Sequence, residues 1–276
     1  MLEAALVLEP LTTNMRVTPS RDGTPIAFSR TGEGTPLLLV HGATADHTTT
    51  WRSVLPALER NFMVCAMDRR GRGESGDAPA YELTREAEDV AAVLDAIGGA
   101  PAVLGHSHGA LCALEAALLT ANVGRLILYE GVPLRGADDF APGIIDRLET
   151  KLAAADVEGV LVALLREIVE MSTEEVELLR AQEAAWKVRL SNARSVPREL
   201  RAYERYAFAP ERFQAMRAPT LLLVGSDSPS RELASAKAIA AALPDARVRT
   251  LVGQGHTAMH TAPEDFVNEV TRFLTE

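Results

Sequence analysis

The chain has 276 residues, of which 47% are hydrophobic and 24% are charged, and its formal net charge at pH 7 is −10. This composition is typical of a globular protein, and the negative charge argues against nonspecific binding to nucleic acid. No apolar run reaches the length of a membrane-spanning helix, so we expect no membrane partner. Residues 4–8 are too short for a signal-peptide core, and Cys65 and Cys112 fall in predicted buried elements, as reduced thiols do. We therefore expect a cytoplasmic protein.

The predicted elements alternate between strand and helix. A hairpin comes first, with residues 15–18 and 26–30 on either side of the turn dipeptide Asp22-Gly23. Further strand patterns follow at residues 36–40, 62–67, 102–104, 125–129, 219–224 and 247–252. Helical patterns lie between or after them at residues 51–60, 84–97, 110–119, 231–243 and 263–274. Strands separated by single helices predict an α/β fold, with a parallel sheet covered on both faces.

One block interrupts this alternation. Residues 134–216 have a purely helical pattern, and strand patterns resume only afterwards. We interpret residues 1–133 and 217–276 as the core and residues 134–216 as an inserted helical cap, or lid, over the carboxyl edge of the sheet. Trp186 and Tyr203 are candidates for its pocket wall, although aromatic residues at helical spacing also occur in ordinary cores.

The sequence Gly105-His106-Ser107-His108-Gly109 lies between a predicted strand and a predicted helix. Glycines at both ends permit a sharp turn that exposes the Ser107 hydroxyl at the carboxyl edge of the sheet. The N-terminus of the following helix favours negative charge at the same place. Ser107 is therefore the candidate nucleophile.

A serine nucleophile needs a base and a carboxylate that orients the base. His256 follows the last strand and is preferred over His260 as the base; a metal site made by this pair is not expected, because no glutamate follows His256. Two acids end strands at the same edge of the sheet, Asp227 and Glu130. We favour Asp227 and keep Glu130 as the alternative.

A tetrahedral intermediate also needs two hydrogen-bond donors for its oxyanion. The backbone N–H of His108, directly after the candidate nucleophile, is one candidate donor, and the N–H of Ala43 is the other. His41, in the same turn as Ala43, is a candidate pocket residue. The segment Asp68-Arg69-Arg70-Gly71-Arg72-Gly73-Glu74-Ser75 lacks the Lys-Ser/Thr of a phosphate-binding loop, and structural ion pairs are its expected role.

Together these segments resemble the α/β-hydrolase fold superfamily. The resemblance rests on the turn at His41, the arginine-rich segment, the Ser107 nucleophile elbow, residues 219–227, and Gly253-Gln254-Gly255-His256 with the helix behind it. It implies an eight-stranded, mostly parallel sheet with a helical cap, no cofactor, and Ser107–His256 chemistry. The family's usual acid position is here Ser228, one residue after Asp227, and some members instead place the acid at the position of Glu130.

The expected function is therefore that of a serine hydrolase acting through an acyl-enzyme at Ser107. Its substrates are expected to be small, apolar carboxylic esters or related acyl compounds such as lactones and thioesters. Carbon–carbon bond hydrolysis and cofactor-free haloperoxidase or perhydrolase activity on the same residues remain alternatives, as does a non-hydrolytic ligand-binding receptor. The only expected partner is the small-molecule substrate, and the sequence leaves the oligomeric state open.

Overall fold

The computed structural model describes residues 14–132 and 140–276. Its eight strands form one sheet in the order β1-β2-β4-β3-β5-β6-β7-β8. In chain order they are β1 (Arg16–Pro19), β2 (Pro25–Thr31), β3 (Thr35–Val40), β4 (Phe62–Met67), β5 (Ala102–His106), β6 (Arg125–Tyr129), β7 (Thr220–Gly225) and β8 (Ala246–Leu251). The first hairpin is antiparallel and pairs antiparallel with β4, whereas β3 to β8 run parallel. The predicted α/β fold with a mostly parallel sheet is confirmed.

Helices cover both faces of this sheet. They are α1 (Leu55–Leu58), α2 (Leu83–Ile97), α3 (His108–Ala116), α4 (Ile144–Ala153), α5 (Val157–Ala163), α6 (Thr173–Arg180), α7 (Glu183–Ala193), α8 (Val196–Glu204), α9 (Ser230–Ala242), α10 (Ala258–Thr261) and α11 (Pro263–Thr275). A π-helical turn, Leu164–Ile168, continues α5, and a 3₁₀ turn, Pro210–Phe213, follows α8. None of the described helices is long and apolar enough to cross a membrane.

The sheet separates two apolar cores because alternate side chains of each strand point to opposite faces. In β3, Leu38 and Val40 pack on the face covered by α2, α3 and α9. Leu37 and Leu39 pack on the other face, against α1 and α11. Parallel strands buried on both faces explain why the sequence shows continuous apolar runs there.

The stretch between β6 and β7 is helical in the part that the structure describes. From Ile144 to Phe213 it contains α4 to α8 and the two irregular turns, and we call residues 140–216 the helical segment. Its apolar side chains join the core on the α3 side of the sheet. The predicted domain boundary between residues 133 and 134 lies outside the described residues.

The predicted helix over residues 51–60 is shorter in the structure. Only Leu55–Leu58 is helical, with Pro56 in its first turn. Proline is accepted in a first helical turn and opposes any extension of the helix towards the N-terminus, because its ring clashes with the preceding turn. The boundaries of the predicted strands agree with the observed ones to within two residues.

Candidate active site

Ser107 lies in the sharp turn between β5 and α3. Its φ is 55° and its ψ is −127°, an unfavourable conformation for a residue with a side chain. The glycines of the motif permit the turn: a Cβ on Gly105 would lie 2.5 Å from the Gly109 carbonyl oxygen, and a Cβ on Gly109 would lie 2.4 Å from the His41 carbonyl oxygen. The turn therefore needs glycine at both positions.

Two further glycines pack directly on Ser107. A Cβ on Gly131, which has a φ of 79°, would lie 2.4 Å from Ser107 Cα, and a Cβ on Gly42 would lie 3.2 Å from Ser107 Cβ. The backbone of Ser107 is also held by its N–H, which donates to the Tyr129 carbonyl at 2.9 Å. Neighbouring strand ends thus fix the position of the serine.

His256 is paired with Glu130. Its Nδ1 lies 2.6 Å from Glu130 Oε2, so Nδ1 donates and Nε2 is left as the basic nitrogen. The other carboxylate oxygen, Oε1, accepts from the Gly225 N–H at 2.7 Å and from the Ser228 hydroxyl at 2.6 Å. The side chain of Glu130 is fully buried. Residues at or after the ends of β7 and β8 therefore surround the Glu130 carboxylate, which itself follows β6.

Asp227, the acid favoured by the sequence, is not beside His256. It is exposed, and its carboxylate accepts a hydrogen bond from the neighbouring Ser226 hydroxyl at 2.8 Å. The turn after β7 instead directs Ser228 inwards, where it donates to Glu130. The structure therefore contradicts the placement of Asp227 next to His256 and favours the alternative acid, Glu130.

His256 and Glu130 shift each other's pKa. Burial by itself lowers the pKa of His256, but the hydrogen bond and charge of Glu130, assisted by the charge of Glu232, raise it above its ordinary value. Burial by itself raises the pKa of Glu130, yet its hydrogen bonds and the charge of His256 hold it below its ordinary value. Glu130 is therefore ionised at neutral pH and stabilises a protonated His256.

Two aromatic side chains hold the loop that carries His256. The His106 Nε2 donates to the His256 carbonyl at 2.9 Å, and the two rings lie 4.7 Å apart. The Tyr129 hydroxyl donates to the Gly255 carbonyl and accepts from the Ala258 N–H at 3.1 Å. His106 and Tyr129 end adjacent strands, so the sheet itself positions the imidazole.

The two candidate oxyanion donors are Ala43 and His108. Both residues line the same cavity as Ser107, and among the described residues neither backbone N–H donates a hydrogen bond. The Ala43 turn is held from behind, because Arg72 Nη2 donates to the Ala43 carbonyl at 3.0 Å and Arg69 Nη1 donates to the Gly42 carbonyl at 3.1 Å. The N–H groups remain available for a ligand.

Above Ser107 lies a cavity of about 290 Å³, the size of a small-molecule site. Its floor includes Ser107 and His256, and its wall includes the predicted Tyr203. Much of the remaining wall comes from the helical segment, including Leu164, Leu165, Ile168, Val169, Leu179 and Leu200. Ser107 Oγ and His256 make no direct hydrogen bond; such contacts often form only when substrate is bound.

Two predicted pocket residues lie elsewhere. Trp186 is buried against the rest of the helical segment, with the Arg180 guanidinium 5.2 Å from its ring centroid. His41 is fully buried; its Nε2 accepts from the Arg69 N–H at 3.1 Å and its Nδ1 contacts the Gly42 carbonyl at 2.8 Å. Both predictions are wrong because packing and backbone hydrogen bonds, rather than the cavity, occupy these side chains.

The arginine-rich segment makes the expected structural ion pairs. Arg69 contacts Glu86 at 2.5 Å and Glu199 at 2.7 Å, and Arg70 contacts Asp89 at 2.6 Å, with all three pairs buried. Glu199 belongs to α8, so this network ties the helical segment to the core.

One group of potential metal ligands lies within this network. Glu86, His108 and Cys112 place ligand atoms within 4.8 Å of one another. The Glu86 oxygens, however, accept from Arg69 and from the Tyr81 hydroxyl at 2.8 Å. Burial raises the pKa of the Cys112 thiol well above its ordinary value. The group is explained as part of the ion network.

Among the charged residues of the cavity that sequence reasoning missed are Arg189 and Glu232. Glu232 lies in the first turn of α9 and accepts from the Gly131 N–H at 2.9 Å, and Arg189 reaches the cavity from α7. Neither has a motif signal, since each lies in a helix with several other charged residues. The one sequence signal was that Ser228, not Asp227, occupies the family's usual acid position in the turn after β7.

Comparisons with known proteins agree with this architecture. The model of the Alpha/beta hydrolase family matches residues 37–270. An alpha/beta hydrolase from Sphaerobacter thermophilus is 34% identical, with a TM-score of 0.79 over 92% of this chain and 99% of that one. The esterase RhEst1 from a Rhodococcus species is 25% identical, with a TM-score of 0.74 over 95% of this chain and 98% of that one.

A sequence relative extends the comparison. The putative carbamate hydrolase RutD of Azorhizobium caulinodans is 27% identical over 250 residues, which cover 89% of this chain and 93% of that protein. The family match alone spans far more than half of the chain. This chain therefore belongs to the alpha/beta hydrolase family.

Proposed function

We propose that the protein is a serine hydrolase that cleaves carboxylic esters or related acyl bonds through an acyl-enzyme at Ser107. The observation that carries the proposal is the joint placement of three groups around one cavity. Ser107 lies half-buried at a strained turn, His256 lines the same cavity, and Glu130 holds the imidazole by a 2.6 Å hydrogen bond. The similarity to an esterase and to a putative carbamate hydrolase is in keeping with acyl transfer to water.

The proposed reaction has two halves. Ser107 Oγ attacks the carbonyl carbon while His256 Nε2 takes the hydroxyl proton, and the N–H groups of Ala43 and His108 bind the oxyanion. The tetrahedral intermediate then loses the alcohol, which receives the proton from His256. Water attacks the acyl-enzyme with His256 again as base, and the acid product leaves as Ser107 regains its proton. Glu130 stabilises the imidazolium formed in each half.

The helical segment is proposed to be the cap of this site. Its side chains form much of the cavity wall, and this wall is mostly apolar. An apolar enclosure favours an apolar acyl or alcohol group and strengthens the electrostatic interactions at the reacting carbonyl by excluding water. The cap would therefore select the substrate, while the sheet edge performs the chemistry.

The test is hydrolysis of p-nitrophenyl butyrate by wild type and by Ser107→Ala. Removing the nucleophile should lower kcat by about ten-thousand-fold or more while leaving the fold intact by circular dichroism. Ser191→Ala, which changes an exposed serine on α7, is the matched control and should behave as wild type. Activity of Ser107→Ala near that of wild type would refute the proposal.

A fluorophosphonate probe separates this proposal from a ligand-binding receptor. The probe should label wild type and Ser191→Ala but not Ser107→Ala, because labelling needs an activated serine. An unlabelled wild-type protein would favour the receptor alternative. A panel of lactone, thioester, carbamate and β-diketone substrates then identifies which acyl bond is cleaved fastest, since the same three residues can serve each of them.

A further inference from the structure

Arg189 is a cation in the wall of the cavity with no carboxylate partner among the described residues. It lies on α7, and its Nη1 donates to the neutral Thr44 hydroxyl at 3.2 Å. Thr44 directly follows Ala43, the candidate oxyanion donor, and Arg189 and Thr44 both line the cavity that contains Ser107. The Arg189 guanidinium therefore lies between α7 and the floor of the cavity.

Arg189 is half-buried, whereas the fully buried arginines of the described residues are neutralised. Arg69 pairs with two glutamates, Arg70 with Asp89, and Arg72 with Glu199. The negative charge of Asp46 acts on Arg189 without forming an ion pair with it, and Asp46 Oδ1 accepts the N–H and hydroxyl groups of Thr48 and Thr49 at 2.8–3.0 Å. Leaving a cation uncompensated in an apolar wall is costly unless a ligand supplies the missing charge.

Arg189 and Arg52 place positive charge around His260, which lines the same cavity. Burial, followed by the charges of Arg189 and Arg52, lowers the pKa of His260 to about 4. Burial also lowers the pKa of Arg189 to about 10, which still leaves it charged at neutral pH. His260 lines the same cavity and stays neutral, with its Nδ1 3.2 Å from the Ser53 hydroxyl.

The carboxylates of the cavity wall are held by other groups. Glu130 accepts from His256, Ser228 and Gly225. Glu199 pairs with two arginines of the core, and Glu232 accepts from the Gly131 N–H beside Arg231. None of them pairs with Arg189, so an anionic ligand would not have to displace a partner there.

We propose that Arg189 is a specificity-determining residue that binds a carboxylate on the substrate. The substrate class is then an ester, or related acyl compound, with an apolar body and one carboxylate group separate from the bond that is cleaved. The apolar wall from the helical segment accommodates the body, and Arg189 binds the carboxylate by charge-assisted hydrogen bonds. This proposal rests on the proposed serine hydrolase function and names its substrate class.

The kinetic test compares two esters that differ only in charge, p-nitrophenyl hydrogen adipate and p-nitrophenyl methyl adipate. Wild type should show the higher kcat/KM for the acid ester, and Arg189→Met should lower the acid-to-methyl ratio by about tenfold or more, the usual range for loss of a charged hydrogen bond. Arg189→Lys should recover part of the ratio. The matched control is Arg194→Met, an exposed arginine next to the end of α7, which should keep the wild-type ratio.

A binding test does not depend on turnover. Calorimetry on Ser107→Ala should detect tighter binding of hexanoate than of hexanamide, and the additional Arg189→Met change should abolish the difference. Hydrolysis of both adipate esters with no charge preference in wild type, or a ratio unchanged in Arg189→Met, would overturn the carboxylate site and leave the hydrolase proposal standing. Failure to hydrolyse either ester, with hexanoate still preferred, would refute the hydrolase and retain the site.

Discussion

The sheet edge and the helical segment contribute to the cavity in different ways. Ser107, Glu130 and His256 each follow the end of a strand, and the register of neighbouring parallel strands determines how far apart they lie. The helical segment reaches the cavity through side chains of several packed helices, whose positions no ladder of hydrogen bonds fixes. The first arrangement suits a reaction that tolerates little displacement. The second arrangement forms much of the wall that surrounds the substrate.

The two regions are joined by buried charge. Glu199 on α8 contacts Arg69 and Arg72, and the same two arginines donate to the carbonyls of Gly42 and Ala43. A change in how the helical segment packs on the core would therefore shift the backbone turn that carries Ala43, a candidate oxyanion donor. Substitutions on either side of this junction test how far chemistry and recognition are separate.

The largest effect after loss of the nucleophile is expected at the sheet edge, from Glu130→Gln. The amide keeps the size of the side chain but removes the charge that stabilises protonated His256 and selects its tautomer. We expect kcat for p-nitrophenyl butyrate to fall by about 10⁴-fold, the loss seen when the acid of a triad becomes an amide. Steady-state kinetics measure the change.

Asp227→Asn is the matched control for that prediction. Asp227 is exposed, and among the described residues its carboxylate hydrogen-bonds only to the neighbouring Ser226 hydroxyl, so losing its charge should change kcat by less than about threefold. The opposite outcome, a large loss in Asp227→Asn with a small one in Glu130→Gln, would return the catalytic role to Asp227.

The next largest effect is expected on stability, at the junction of the two regions. Glu199→Gln leaves Arg69 and Arg72 short of a charge in a buried site, and we expect the free energy of unfolding to fall by about 3–5 kcal/mol. Urea denaturation measures it. Glu149→Gln, which removes an exposed partner of Arg201 in the same helical segment, should cost about 0–1 kcal/mol. Equal losses in the two variants would mean that the buried network adds nothing beyond a surface pair.

The contrast between the regions also explains what the sequence could predict. Parallel strands buried on both faces give continuous apolar runs, and the Ser107 turn needs glycines at fixed positions. Both features can therefore be recognised in the amino-acid sequence. His256 and the Ala43 turn follow from their places after strands. The fold, and the position of the candidate nucleophile Ser107 at a sharp strand-to-helix turn, could therefore be predicted from the sequence.

The choice between Asp227 and Glu130 could not be predicted from the sequence, because it depends on the backbone conformation of the turn after β7. Asp227 and Ser228 are adjacent in sequence, and only the path of the backbone after β7 decides which of them turns inwards towards Glu130. The pocket wall was also hard to predict. Trp186 and Tyr203 have similar helical contexts, and whether an aromatic side chain faces a cavity or packs against its neighbours depends on helix docking.

The smallest expected effect concerns the pH dependence of kcat/KM and involves Glu232, which lines the cavity near His256. The imidazole must be neutral to accept the Ser107 proton, so activity falls as the pH drops below the pKa of His256. Burial lowers that pKa, but Glu130 and, to a smaller degree, Glu232 raise it above its ordinary value. Glu232→Gln removes one of these negative charges while keeping an acceptor for the Gly131 N–H, so the acid limb should move to lower pH.

Burial also raises the pKa of Glu232, so its own protonation weakens this influence as the pH falls. We therefore expect a smaller shift in Glu232→Gln than in Glu130→Gln, measured with p-nitrophenyl butyrate at constant ionic strength. Glu264→Gln, an exposed change on α11, controls for the loss of one negative charge from the whole protein and should leave the limb in place. A limb that moves to higher pH in Glu232→Gln would show that this carboxylate does not favour the protonated imidazole, and His256 would then depend on Glu130 alone.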